Sequence, residues 1–484
     1  MLIDQYDPED VFARVPELAD QTDPVLVQLD RLLDDDHLYQ YVRHDLAHRH
    51  RLTLVHGRHS TPAEVILRLL VVQHLYAWSY QETVERVADS LVLRWFVRVY
   101  FQRVPDKTTL LRWAHTMQPQ TLQALIDRIG RLARHAHVTT ARKLRVDGTC
   151  VQTTIHHPTD SGLLGDGVRV LSRLLRRAKP LVAEQVAKVR GGRLAFRSHL
   201  RTVRWLLQQV HRVRRQTGEE AAEQQRGWYR RLLDVTRQTV RQAHRVVAAL
   251  TTDTPAGDRD ARRQRHVQRL HAEFARVLPL VERVIAQAQS RVLDGVQVPS
   301  PQKVLSLFEP HTRVVKRHKL GAAVEFGRQV VFDEIDGGFV TRFQVLADGE
   351  SERRQALPAV RHHQAVFGRA PRLLTGDRGL HTKGVEATAQ ALGVRHVVIP
   401  RSGPTTAAQR AREHDPRWRR RYRWRAGIEG RIHSLRRDYG LARVRSHGAV
   451  GLERDIGWGI VASDLRHLAL AQVQHQRPSS QRVA

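Results

Sequence analysis

The feature that most limits what this chain can fold into is an isolated strand. Residues 144–152, L-R-V-D-G-T-C-V-Q, are the first convincing strand, and they run out into a turn-rich segment, T-T-I-H-H-P-T-D-S-G-L-L-G-D-G. Strand signals do not resume until about residue 312. Between 168 and 294 the apolar residues recur at helical spacing, as in V-R-V-L-S-R-L-L-R-R-A-K and F-A-R-V-L-P-L-V-E-R-V-I. Breaks at Gly191 and Gly192, at Thr217 and Gly218, and over 251–258 predict about four helices there. Residues 1 to about 135 also read as helical. Thr61, Pro62 and Glu64 form one expected capping box, Ser79 and Glu82 a second, and a third helix is expected near Thr108. Val65, Leu69, Val72 and Tyr76 would form a buried stripe on the first of these.

After residue 312 the pattern changes. Strands are expected at 312–318, 329–335 and 339–346, with Gly337 and Gly338 as a hairpin turn between the last two. A helix at about 351–366, a strand ending L-L-T-G-D, a helix at 383–392, the strand H-V-V-I-P and a long helix through Glu429 follow. With the helical block set aside, this is the element order of a ribonuclease H-like α/β fold. The expected architecture is therefore a ribonuclease H-like core with a mixed five-stranded sheet, a large helical insertion after strand one, and an all-α N-terminal domain. The expected boundaries are 1–138 for the helical DNA-binding domain, 139–167 and 298–470 for the core, 168–297 for the insertion and 471–484 for a disordered basic tail.

Composition indicates the kind of partner. Lys and Arg number 80 against 49 acids, a formal net charge of +31 spread along the chain, and such a surface favours polyanions, nucleic acid first. A high-GC codon bias would explain the preference for Arg over Lys but not the excess over acids. Short helices joined by tight turns in the first 135 residues are compatible with a helix-turn-helix DNA reader and equally with a bundle that reads nothing. The single cysteine, Cys150, excludes an intrachain disulfide and argues against a thiolate zinc site. With no signal-peptide pattern at the start and no long apolar run, a cytoplasmic, nucleoid-associated protein is expected, with neither a membrane nor a small-molecule substrate.

The acids stand where acids need a reason. Asp147 lies within strand one and Asp377 closes a later strand, although Asp is a poor strand former. Alone, Asp377 would read as a turn residue. The third acid, Glu429, lies in R-Y-R-W-R-A-G-I-E-G-R-I-H-S-L-R-R. At roughly 100° per residue, Trp418, Tyr422, Arg425 and Arg436 fall within about 40° of Glu429, beside an apolar stripe of Trp424, Ile428, Ile432 and Leu435. Carboxylates converging from two strands and a helix would repel one another unless cations lay between them. Two Mg²⁺ or Mn²⁺ ions about 3.5–4 Å apart would suit the attacking and leaving oxygens of an in-line phosphoryl displacement.

The spacing Tyr422, Arg425, Glu429, Arg436 resembles the Y-(2)-R-(3)-E-(6)-K signature of bacterial insertion-sequence DDE transposases, with Arg in the place of Lys. The segments D-G-T-C-V-Q-T-T-I-H-H-P-T-D-S-G-L-L-G-D-G, S-L-F-E-P-H-T, V-E-F-G and Y-R-W-R-A-G-I-E-G-R-I look like the ISNCY-type group. The resemblance implies that Asp147, Asp377 and Glu429 are a catalytic, metal-binding triad, and that Tyr422, Arg425 and Arg436 hold the phosphate or a terminal base of DNA. It implies terminal inverted repeats and target DNA as partners, and a homo-oligomer assembled on DNA. Two rivals are a nuclease of the same fold without strand transfer and a DNA-binding protein derived from a transposase. Asp160 and Asp166 read as turn and N-cap residues, His156 and His157 lack ligand spacing, and Glu309, Glu325 and Asp333 read as surface or structural.

Overall fold

In the computed structural model of the chain the described residues are 3–6, 22–49, 51–56, 60–187, 194–252, 261–316 and 324–476. They fall into two compact units, Met1–Thr153 with Gly327–Ala484, and Thr154–Phe326. Among the described residues there are six strands: β1 (Lys143–Gln152), β2 (Arg313–Lys316), β3 (Val324–Ile335), β4 (Phe339–Val345), β5 (Leu373–Gly376) and β6 (His396–Val398). Five strands were expected in the core sheet, whereas the sheet has six, in the order β2–β3–β1–β5–β6 with β4 also pairing β3. The sixth strand, β2, belongs to the smaller unit, and its expected continuation to 318 lies outside the described residues.

β1 is central and the sheet is mixed. It runs antiparallel to β3, with Asp147 opposite Phe332, and parallel to β5, with Val146 beside Gly376. Both faces are covered, so Leu144, Val146, Cys150 and Val151 are buried along with Val330, Val331 and Phe332 of β3. The β3–β4 hairpin turns at Gly337 and Gly338, whose φ values of 89° and 84° favour glycine at both positions.

The N-terminal helices and the sheet share one hydrophobic core. The helix Ala63–Leu75 runs through it with Val65 to Val72 all buried, a wider burial than the expected stripe, while Tyr76 stays exposed. The Thr61 capping box does not form. Pro62 holds the cap position without a side-chain bond, Thr61 hydrogen-bonds Tyr6, and Glu64 pairs with Arg68 at 3.3 Å. Arg68 has no exposed surface and needs carboxylates around it, which Glu64, Asp30 and Asp34 supply. The Ser79–Glu82 box forms as expected. The helix Ala449–Gln476 is apolar nearly all round and packs against the helices Pro24–Leu33, Ala63–Leu75 and Pro119–His135. It extends to Gln476, into the stretch expected to be a disordered tail from 471, and 477–484 lie outside the described residues.

The smaller unit contains four long helices, Asp160–Ala187, Leu200–Val213, Glu219–Thr252 and Ala261–Ala288, around its own core of Leu164, Leu171, Leu232, Phe274 and Val281. The expected break at Gly191 and Gly192 lies outside the described residues. The first helix starts at Asp160, earlier than the expected 168. Thr159 opens it, its hydroxyl accepting from the Gly162 N–H at 3.1 Å. Gly165 and Gly167 mimic turn residues in sequence, but here they admit the Leu207 and Val281 side chains, which would lie 2.7 and 3.0 Å from an added Cβ. Asp166 is accordingly inside the helix and pairs with Arg169, not at an N-cap. Asp160 is buried and accepts hydrogen bonds from Gln287 and Arg291. Among the described residues no helix is long and apolar enough to cross a membrane.

Candidate active site

β1 alternates along its length. Arg145, Asp147 and Thr149 are spaced to point to one face of the strand, and each meets the segment 424–436. The segment is not the single long helix expected from its periodicity. It comprises the helix Pro416–Arg423, a 3₁₀ turn at Trp424–Ala426 and the helix Gly427–Asp438. A uniform 100° step therefore does not hold across 424–426, and the row of Tyr422, Arg425, Glu429 and Arg436 is set by the turn and its contacts. Ile428, Ile432 and Leu435 do form the buried stripe on the second helix.

Asp147 is more buried than Glu429, their side chains being 16% and 64% exposed. Asp147 Oδ1 accepts from the Gly148 N–H at 2.9 Å. Burial pushes the Asp147 carboxyl up to about 6. The Gly148 N–H and Arg425 oppose that rise, and the carboxylates of Asp377 and Glu352 add to it. Asp377 follows the last residue of β5, next to Asp147 across the parallel pairing. It also caps the turn Arg378–Leu380, its Oδ1 accepting from the Leu380 N–H at 3.2 Å, so the turn reading of this acid describes part of its role.

Arg425 links the other two acids. Its Nη1 lies 3.4 Å from Asp147 Oδ2 and its Nη2 donates to Glu429 Oε1 at 2.9 Å. The guanidinium sits 5.7 Å from the Tyr422 ring centroid, and Tyr422 in turn stacks on Trp418 at 5.1 Å. Arg436 reaches Thr149 Oγ1 at 3.4 Å. The structure thus sets Asp147 beside Asp377 and connects Glu429 to Asp147 through a cation. Among the described residues, no three His, Cys, Asp or Glu side chains are drawn together closely enough to hold a metal ion. The donor set nonetheless suits one in kind: all its ligands are hard carboxylate oxygens, and a buried carboxylate beside two others is the group that gains most from a divalent cation.

Two neighbours of the site were not foreseen. Arg145 donates to Glu334 from Nε at 2.9 Å and from Nη2 at 2.5 Å, and from Nη1 to the Trp424 carbonyl at 2.7 Å. Its guanidinium lies 4.6 Å from the Trp424 ring centroid and fills the space over Gly427, where an added Cβ would stand 2.3 Å from Nη1. Arg431 of the same helix pairs with the buried Asp464. The polar alternation Arg145, Asp147, Thr149 in an otherwise apolar strand is the sequence signal that could have found Arg145. Glu352, in an acid-rich loop, carried no such signal. It is hydrogen-bonded by Gln329, and its Oε1 would lie 1.8 Å from a Cβ at Gly148. Gly148→Ala should therefore cost about 1–2 kcal/mol in urea unfolding, and the double variant with Glu352→Ala should recover most of it.

The remaining candidates have other surroundings. Asp333 is buried and paired with Arg342, and Cys150 is a buried free thiol. Glu309 is buried and lies 3.5 Å from His311. The His157 ring packs edge-on to Phe326.

Residues 312–465 match the family described as Transposase DDE domain, and residues 14–116 match the one described as Transposase domain (DUF772). Asp377 and Glu429 fall within the first match, and Asp147 precedes it in the sequence, before the helical unit begins. No curated protein and no solved structure matches the chain. The DDE domain implies a ribonuclease H-like core, divalent-metal chemistry and DNA as partner, and the mixed sheet with a mainly helical N-terminal region agrees with it. The two matches together support a transposase of the insertion-sequence kind.

Proposed function

We propose that the chain is the DNA transposase of an insertion sequence of the ISNCY-type group, which binds the terminal inverted repeats of its element, cleaves DNA at their ends and joins the freed ends to target DNA. The observation that carries this reading is that acids from three distant segments lie about Asp147 of β1: Glu429 is joined to it through Arg425, and Asp377 stands at the end of the adjoining strand β5.

In this reading Asp147, Asp377 and Glu429 hold two Mg²⁺ or Mn²⁺ ions. When bound, the ions would activate the nucleophile and offset charge on the departing oxygen. Arg425 carries the positive charge between two of the acids in the present arrangement, and with cations there its guanidinium becomes available to a DNA phosphate. Arg436 beside Thr149, and Tyr422 stacked on Trp418, supply a second cation and an aromatic face for the phosphate or terminal base. In cleavage a water oxygen attacks phosphorus and the bond to the 3′-oxygen breaks, leaving a 3′-hydroxyl. In joining, that hydroxyl attacks a target phosphodiester and the target's own 3′-oxygen leaves. The helices of 1–138 are assigned to inverted-repeat recognition, and paired ends call for a homo-oligomer.

The test is to incubate the full chain with paired end oligonucleotides, a target plasmid and Mg²⁺. Joined products are expected. Asp377→Asn should lose both cleavage and joining but keep end binding; cleavage retained in that variant would overturn the assignment. Cutting without joined product would identify a nuclease.

A further inference from the structure

A cavity of about 330 Å³ lies in the larger unit between the C-terminal end of the helix Ala63–Leu75 and the segment 439–455. None of its lining residues belongs to the site described above. Its wall includes the aromatic side chains of Trp78 and Tyr80, with Leu111 and His115 nearby. Ala77 adopts a left-handed φ of 51°, unusual for a residue with a Cβ, and this bend delivers Trp78 to the cavity. The Trp78 N–H donates to the Gln73 carbonyl at 2.9 Å, and the Trp78 ring is braced by Tyr76, stacked at 4.5 Å.

Gln73 supplies a polar anchor. It is only 5% exposed, its amide hydrogen-bonds the Tyr80 hydroxyl, and among the described residues its Oε1 has no partner. A buried acceptor left this way normally costs free energy, so an N–H donor brought by a ligand is the chemistry the wall lacks. The lining carries one charge of each sign. Arg445 contributes the cation, while Asp455 is occupied in accepting from the Arg445 and Ser446 N–H groups, both at 2.9 Å. Aromatic walls, a buried acceptor on a lining residue and the Arg445 cation, beside an Asp455 carboxylate already engaged by backbone N–H groups, together suit a flat heterocycle that carries N–H donors and is tethered to an anion.

Resting on the transposase reading for the presence of DNA, we infer that this cavity receives an unpaired nucleobase of the DNA substrate. The ring stacks against Trp78, a ring or exocyclic N–H donates to Gln73 Oε1, and the adjoining phosphate lies toward Arg445. A base within an intact duplex is already stacked on both faces, so the occupant is one released at a nick or a frayed end.

The experiment uses the full chain and a single-stranded deoxyoligonucleotide of mixed sequence carrying one 5-iodouracil. Irradiation should attach the oligonucleotide to Trp78 or Tyr80, located by peptide mass spectrometry. In anisotropy titrations Trp78→Ala should weaken binding on the order of tenfold, with an unchanged slope against salt because no phosphate contact is lost. Gln73→Leu should weaken it severalfold, and matched thermal melts show whether either variant remains folded. Adducts only outside the cavity, or affinities unchanged in both variants, would overturn the inference. So would a change in sedimenting mass on Trp78→Ala without any cavity adduct, which would make the occupant a side chain from a second copy. Cleavage of end duplexes by the unaltered chain is scored separately, so the transposase reading stands or falls on its own result.

Discussion

In the proposed role of Asp147 as a metal ligand, Asp147→Asn is expected to abolish cleavage of an end duplex, by roughly a thousandfold or more, since such a ligand underwrites several kcal/mol of charge stabilisation in phosphoryl transfer. The same change should stabilise the metal-free protein at neutral pH. Burial, with Asp377 and Glu352 alongside, raises the Asp147 carboxyl from 3.8 to about 6. Between those values the folded chain binds more protons at this site than the unfolded chain, so this site's contribution to stability falls as pH rises through them. Asn carries no such loss. The stability of Asp147→Asn relative to wild type should therefore grow by about 2–3 kcal/mol between about pH 3 and about pH 7. Urea unfolding in chelator at several pH values measures it, and a difference independent of pH would contradict the account of Asp147. Added Mg²⁺ should stabilise wild type but not the variant, because ligand binding to the folded state alone raises stability.

The second large effect is expected at Arg145, which holds the helix bearing Glu429 to the strand bearing Asp147. Arg145→Met leaves Glu334, 1% exposed, without its counterion, and breaking a buried pair from one side costs on the order of 3–5 kcal/mol. Adding Glu334→Gln removes the stranded charge and should recover a large part of the loss. It does not restore the bond from Arg145 to the Trp424 carbonyl or the stacking on its ring. Cleavage by the double variant should therefore remain well below wild type even where its melting temperature is close to normal. If activity returned together with stability, Arg145 would be a core residue with no part in setting the helix. Gly427→Ala tests the same contact from the other side. Its Cβ would press on a guanidinium already fixed by Glu334 and Trp424, so it should be harmful alone and close to neutral beside Arg145→Met.

Much of the larger unit was legible because its signals are local. Short β-branched and aromatic runs mark β1, β3 and β4, and Gly337 with Gly338 marks the hairpin through a backbone requirement that few other residues meet. Ser79 and Glu82 cap their helix as their spacing predicts, since both partners lie within one turn. Local signals failed where a distant side chain determined the outcome. Thr61 and Glu64 have the same capping pattern, but the fully buried Arg68 draws Glu64 into an ion pair. Gly165 and Gly167 look like turn residues and instead make room for Leu207 and Val281 inside a helix.

The candidate site divides in the same way. Sequence alone determined which residues of β1 share a face, that Asp377 ends a strand, and that Ile428, Ile432 and Leu435 turn Glu429's helix toward the core, because strand and helix periodicities are properties of the backbone. Only the tertiary structure decided that the helix breaks at Trp424–Ala426, that Arg425 connects Asp147 with Glu429, that Glu352 comes to lie over Gly148, and that Arg145 sits between Glu334 and Trp424. The last three join residues far apart in the sequence. Their pairing depends on burial and on the charge a buried group must have beside it, which no local spacing encodes.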